Sequence, residues 1–160
     1  RQLEGTTLRD ACEIDEVANP RKRRGSFGNA LEKYFFHYDI NNSPDADFRE
    51  AETELKSTPL RKKKNGEFSA KERLVISKIN YMTVVDETWE TSSLQKKLHK
   101  ILLVARWAGL TDFIIRKVVL LPIVERFRKR RQARFLNEYR SNHSAGRDGK
   151  LHCSLEFSDR

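Results

Sequence analysis

The stretch from Thr91 to Tyr139, TSSLQKKLHKILLVARWAGLTDFIIRKVVLLPIVERFRKRRQARFLNEY, limits the fold of this chain more than any other, because its densest apolar residues run directly into its densest positive charge. Leu94, Leu98, Ile101, Leu102 and Ala105 recur at steps of three and four, a spacing that predicts one buried helix stripe with Lys96, Lys97 and Lys100 off it. Gly109 is the expected left-handed stop of that helix, and Thr111 or Asp112 is the expected cap of a second one bearing Phe113, Ile114, Val118 and Leu121. Pro122, with φ fixed and no amide hydrogen, should open a third helix or kink the second into it. Beyond it Ile123, Val124, Phe127, Phe135, Leu136 and Tyr139 are expected to face inward. Arg126, Arg128, Lys129, Arg130, Arg131 and Arg134 then form a basic surface. Helices joined this tightly cannot cover one another's apolar faces unaided. The predicted fold class is therefore all-α, a compact bundle of about five helices.

The remaining segments are read as completing that bundle. Leu31, Tyr34, Phe35 and Tyr38 predict a helix with an aromatic face between Phe27 and Ile40, and Ser43-Pro44-Asp45 reads as the capped start of a short helix carrying Phe48, Ala51 and Leu55. Residues 57–68 combine Pro59, Asn65 and Gly66 with cations at 61–64 and predict a basic loop. Ser69 and Glu72 have capping-box spacing, so a helix with Val75, Ile76, Ile79, Met82 and Val85 inward is expected to run from there to about Glu87. The expected organisation is a flexible basic tail at 1–26, one domain at 27–139 and a flexible polar tail at 140–160.

Charge narrows the class of partner. Lys plus Arg number 32 against 23 Asp plus Glu, a net +9, which suits nucleic acid, an acidic peptide or an anionic surface, or serves solubility alone. Arg21, Lys22, Arg23 and Arg24 resemble a nuclear import signal and imply a nuclear protein, and Ser26 beside them fits the substrate pattern of basophilic kinases. Charged residues at Arg106, Asp112, Arg116 and Lys117 interrupt the apolar region and argue against a membrane span. Cys12 and Cys153 are far apart and lack metal-site spacing, which suggests free thiols. His143, His152 and Cys153 make a poor metal set. With no glycine-rich phosphate loop, GxSxG or HExxH, the expectation is no enzyme, no metal, no cofactor and no small-molecule substrate.

The order of a helix from Ser69 to Glu87, then SLQKKLHKILLVARWAGL, TDFIIRK and a final basic helix, resembles the helical domain at the N-terminus of the elongation factor TFIIS and the integrase-binding domain of LEDGF-type chromatin proteins. LQKKLHKILLVA also looks like the helical region of fungal proteins that carry a PWWP domain. The resemblance implies a non-enzymatic scaffold for a chromatin or transcription complex, receiving short motifs of a protein partner in a hydrophobic groove flanked by cations. Trp107, Leu110 and Phe113 could line such a groove, with Arg116 and Lys117 beside it; each apolar one could equally be ordinary core. The alternative is a basic helical nucleic-acid-binding protein or ribonucleoprotein subunit. Its contacts to a DNA or RNA backbone would come from Arg126, Arg128, Lys129, Arg130, Arg131 and Arg134, with Lys62, Lys63 and Lys64 as a second contact.

Overall fold

Extended chain, not helix, forms the centre of the molecule. The computed structural model describes residues 2–14, 26–40, 43–78, 86–108 and 112–123, and the backbone of 150–153. Helices α1 (Leu8–Cys12), α2 (Ser26–Ala30) and α3 (Ser93–Leu98) accompany strands β1 (Thr53–Lys62), β2 (Phe68–Ala70), β3 (Leu74–Lys78), β4 (Lys100–Ala108), β5 (Phe113–Leu121) and β6 (Lys150–Cys153). Four strands make a mixed sheet in the order β2-β1-β4-β5, and β3 pairs with β6 in a separate ladder. The β1 and β4 strands are parallel, from Thr53 beside Lys100 to Pro59 beside Arg106, and α3 lies on the crossover between them.

This architecture replaces the expected all-α bundle, and the physical reasons are local. Leu94 and Leu98 do lie on a helix, but it ends at His99, and Ile101 to Ala105 continue as an interior strand buried on both faces. A doubly buried strand is a continuous apolar run, so residues at every spacing are present, those at steps of three and four included. Phe113–Leu121, expected as the second helix, is rich in β-branched Ile and Val and pairs antiparallel with β4. The capping-box spacing at Ser69 is overridden because Leu74–Lys78 forms a strand. In place of a helix over Phe48 to Leu55 stands a 3-10 turn, Arg49–Ala51, followed at once by β1. The expected loop at 57–68 is the end of β1, a turn and the start of β2. Helix does form near Phe27 to Ile40, as α2 running into a π-helical turn, Leu31–Phe35. The helix expected beyond Pro122 falls outside the described residues from Val124 onward.

Strand alternation divides the core in two. One face of the sheet carries Leu55, Val104, Phe113 and Ile115 against Leu3, Leu8, Phe27 and Leu31. Phe27 meets Phe113 edge-on at 5.6 Å, and the Arg106 guanidinium sits over both rings. The other face carries Ile101 and Leu103, with Leu94 and Leu98 of α3 also buried. Pro59 is tolerated in an interior strand because its carbonyl accepts from Lys71 where the β1–β2 ladder ends, so the missing amide costs no further rung. The outer edge of β5 is closed by the N-terminal segment, through Gly5 N to Ile115 O at 2.8 Å and Ile115 N to Thr6 O at 2.9 Å.

Candidate active site

Glu54 and Lys56 lie two residues apart on β1 and so share a face. Lys56 Nζ donates to Glu54 Oε1 at 2.6 Å. Glu54 is 1% exposed, and its Oε2 is buried without a hydrogen-bond partner.

A tight turn brings a second carboxylate to it. Phe48 and Thr53 exchange both backbone hydrogen bonds, at 2.9 and 3.1 Å, with the 3-10 turn between them and Glu52 left-handed at φ 48°. That doubly bonded pair makes Asp47 and Glu54 the next cross-strand neighbours, in the register where side chains approach most closely. Asp47 Oδ2 accepts from the Leu55 amide at 2.8 Å.

Helix α3 and the start of β4 grip this segment from one side. Ser92 caps the helix by accepting from the Gln95 amide at 3.1 Å. Lys96 Nζ then donates to Asp45 at 2.9 Å, Lys97 Nζ to Glu54 Oε1 at 3.2 Å, and Lys100 Nζ to the Ala51 carbonyl at 3.3 Å. His99 Nδ1 comes within 3.1 Å of Glu52 Oε2 without hydrogen-bond alignment. Glu32, on the π-helical turn, supplies a third carboxyl group, buried like Glu54, while Asp47 is half-buried.

These charges are felt mutually. Burial raises the Glu32 carboxyl above its usual range, helped by Asp47 and Glu54 and opposed by Lys56 and Lys97. Burial also raises Asp47, helped by Glu54 and opposed by the Leu55 amide hydrogen bond and the same lysines. The fold therefore holds negative charge together against its own electrostatic cost, and two ammonium groups offset part of that cost. Among the described residues no three His, Cys, Asp or Glu side chains are gathered as a metal shell. The unpartnered Glu54 Oε2 and the neighbouring Asp47 are nonetheless hard oxygen donors of the type that takes Mg²⁺.

None of Glu32, Asp47, Glu54, Lys56 and Lys97 was among the expected site residues. The available signal was Asp47, then seven residues later Glu54-Leu55-Lys56, a Glu-x-Lys pair that shares a face only if the segment is a strand.

The expected site residues are distributed elsewhere. Trp107 is half-buried, packed edge-on against Phe68 at 5.8 Å, on the opposite face of the sheet from the buried Phe113. Arg116 is exposed with its guanidinium over Phe68 at 4.9 Å, and Lys117 is half-buried on the same strand. Lys62, Lys63 and Lys64 are exposed at the end of β1 and its turn, and Ser26 is half-buried at the start of α2. Leu110, the import-signal residues Arg21, Lys22, Arg23 and Arg24, and the basic residues Arg126, Arg128, Lys129, Arg130, Arg131 and Arg134 lie outside the described residues. No helix of the described residues is long and apolar enough to cross a membrane.

Residues 36–135 match the family model described as DNA mismatch repair enzyme MutH. Ninety residues, 56% of this chain, are 40% identical to the type II restriction enzyme Sau3AI of Staphylococcus aureus. The chain spans 18% of the length of that relative. These matches overturn the resemblance to the TFIIS N-terminal and LEDGF-type domains, which rested on an apolar helical pattern that is strand in the structure. With it go the non-enzymatic chromatin or transcription scaffold, its protein partner, and the alternative of a helical ribonucleoprotein subunit.

Proposed function

The chain belongs to the MutH family, described as DNA mismatch repair enzymes, and from that premise we propose that it is a DNA endonuclease module whose chemistry is metal-assisted phosphodiester hydrolysis. The family match overturns the expectation of no enzyme. The observation that carries the reading is the convergence of Asp47, Glu54 and Lys56, backed by Lys97, all inside the matched region, with Glu32 from just before it. The name of the relative, a type II restriction enzyme, supports cleavage of double-stranded DNA.

The residues present fit a divalent cation. Glu54 keeps one buried oxygen without a partner, and the raised carboxyls of Asp47 and Glu32 mark a site where added positive charge is stabilising. Asp47 and Glu54 would hold the ion. When bound, it supplies Lewis-acid stabilisation of charge on the phosphoryl oxygens. Lys56, fixed by Glu54, is placed to orient the attacking water and to face the charge that builds on the phosphate. Lys97 holds Glu54 from the α3 side and sets a positive charge beside the three acids. A phosphorus–oxygen bond forms to the water, the bond to the leaving deoxyribose oxygen breaks, and the water's proton leaves to solvent as the departing oxygen takes one up. The products are a phosphate monoester end and a hydroxyl end.

The test is nicking and linearisation of plasmid DNA by the chain in Mg²⁺, against EDTA and against Lys56→Ala. Cleavage that needs Mg²⁺ and falls at least about a thousandfold in the variant is expected. Cleavage in EDTA, cleavage undiminished in Lys56→Ala, or none by the unaltered chain with any divalent cation would overturn the reading.

A further inference from the structure

We infer that the turn joining β1 to β2 is a phosphate-backbone contact for the same DNA duplex, set apart from the cleavage site and held at fixed distance from it by β1. The inference rests on the DNA-cleaving reading for the identity of its ligand. It takes its geometry from a different part of the molecule.

Arg61, Lys62, Lys63 and Lys64 are four successive cations, all exposed, at the point where β1 ends. Such runs are ordinarily solvated and mobile, and binding them to phosphate then costs side-chain and backbone order. This one is held. The Lys63 amide donates to the Glu67 carbonyl at 2.7 Å and the Gly66 amide to the Lys63 carbonyl at 3.0 Å, with Gly66 at φ +90° where only glycine is unstrained. Asn65 closes the turn a second time, donating from Nδ2 to Glu67 Oε2 at 2.8 Å and accepting from the Glu67 amide at 3.2 Å. The backbone that carries the cations is ordered before any ligand arrives.

Two of the four are already engaged: Arg61 Nε donates to Ser69 Oγ at 3.3 Å, and Lys63 stands 3.7 Å from Glu67. Lys62 and Lys64 have no acidic partner among the described residues. Lys62 sits opposite Phe68 in the ladder, and the exposed guanidinium of Arg116 covers the Phe68 ring, so a third cation joins the patch from another strand.

Distance and direction link the patch to the site. Glu54, Lys56 and Lys62 occupy even positions of one strand and project to one face. Six residues at about 3.3 Å each put Lys62 roughly 20 Å from Lys56, about six base-pair steps of a duplex at 3.4 Å per step. A duplex presenting one phosphate to Lys56 therefore offers others to the turn.

The experiment measures binding of the 160-residue chain to a labelled generic duplex in EDTA from 50 mM to 500 mM salt, beside Lys62→Ala/Lys64→Ala and Lys62→Arg/Lys64→Arg. Loss of two phosphate contacts lowers the slope of log K against log salt by about 1.8. That corresponds to roughly sixtyfold weaker binding at 0.1 M salt and little difference near 1 M. The Arg variant should keep the wild-type slope. Both variants alter exposed side chains, and an unchanged thermal midpoint confirms that they fold. An unchanged slope in the Ala variant, or no wild-type binding at 50 mM salt, overturns the inference. The cleavage reading is judged separately: Mg²⁺-dependent cleavage with an unchanged slope leaves it standing while the turn fails, and a reduced slope without cleavage does the reverse.

Discussion

Replacing Asp47 with Asn removes one negative charge from a cluster of three buried or half-buried carboxyls, and it should make the metal-free chain more stable while destroying its activity. Two like charges about 5 Å apart repel by about 3 kcal/mol at an effective dielectric constant near 20. Lys56 and Lys97, both donating to Glu54, cancel much of this, which leaves a net gain on the order of 1 kcal/mol. The amide oxygen of Asn can still accept from the Leu55 amide, and its NH₂ can donate to the unpartnered Glu54 Oε2. For a chain of this size 1 kcal/mol is a rise of about 2–4 °C in Tm.

The pH dependence follows from the same charges. A carboxyl whose folded pKa is raised binds its proton more tightly in the folded chain, so stability falls as pH rises from the usual carboxylate value through the raised one. Asp47→Asn should flatten that fall in part and leave the share of Glu32. Scanning calorimetry at pH 7.5 in EDTA and in Mg²⁺, with plasmid cleavage alongside, measures all of this. At ten times its Kd, Mg²⁺ adds about 1.4 kcal/mol to the wild type and little to the variant, so the Tm gap should close or reverse, and cleavage should fall at least about a thousandfold. Destabilisation of the metal-free variant by more than about 1 kcal/mol would refute the repulsion argument. Retained cleavage would remove Asp47 from the site.

Lys97→Met should lower stability by about 1–2 kcal/mol, because Glu54 keeps Lys56 but loses its second cation, and should reduce kcat by about a hundredfold with little change in KM; an unchanged kcat would show that Lys97 is bystander packing. Burial, with Asp112 nearby, pushes the Cys12 thiol up to about 11, and the group donates to the Ala30 carbonyl. At pH 8 it is therefore overwhelmingly protonated, so alkylation followed at Cys12 by mass spectrometry should be at least about a hundredfold slower in the folded chain than in urea; equal rates would show the pocket to be open.

Some of this was legible in the sequence, and the rest was hidden by identifiable physics. Helix was expected near Leu31 and around Leu94 and Leu98, and it is there. The second stripe ends with the helix, and Ile101 to Ala105 belong to a strand. An apolar run cannot by itself distinguish a buried strand from a buried helix, and the β-branched residues of Phe113–Leu121 and Leu74–Lys78 are the signal that favours strand. The site is legible only once Thr53–Lys62 is a strand. On a helix, Glu54 looks like one of several outward acids with Glu50 and Glu52, and Asp47 looks like a first-turn charge. On a strand after a tight turn, Asp47, Glu54 and Lys56 meet. Glu32 and Lys97 had no local signal, since only the tertiary fold brings them to the same carboxylates.

The turn between Phe48 and Thr53 acts as a ruler. Its side chains at Arg49, Glu50 and Ala51 are exposed or partly so, and its length is what brings two acids to one side of the backbone. Strand side chains alternate, so one residue inserted or deleted there would rotate a carboxylate to the opposite face and leave the remaining acid facing two lysines alone. Chemistry of this kind should therefore survive wide change in the composition of the turn and almost none in its residue count, so that its sequence can drift while its length is inherited intact.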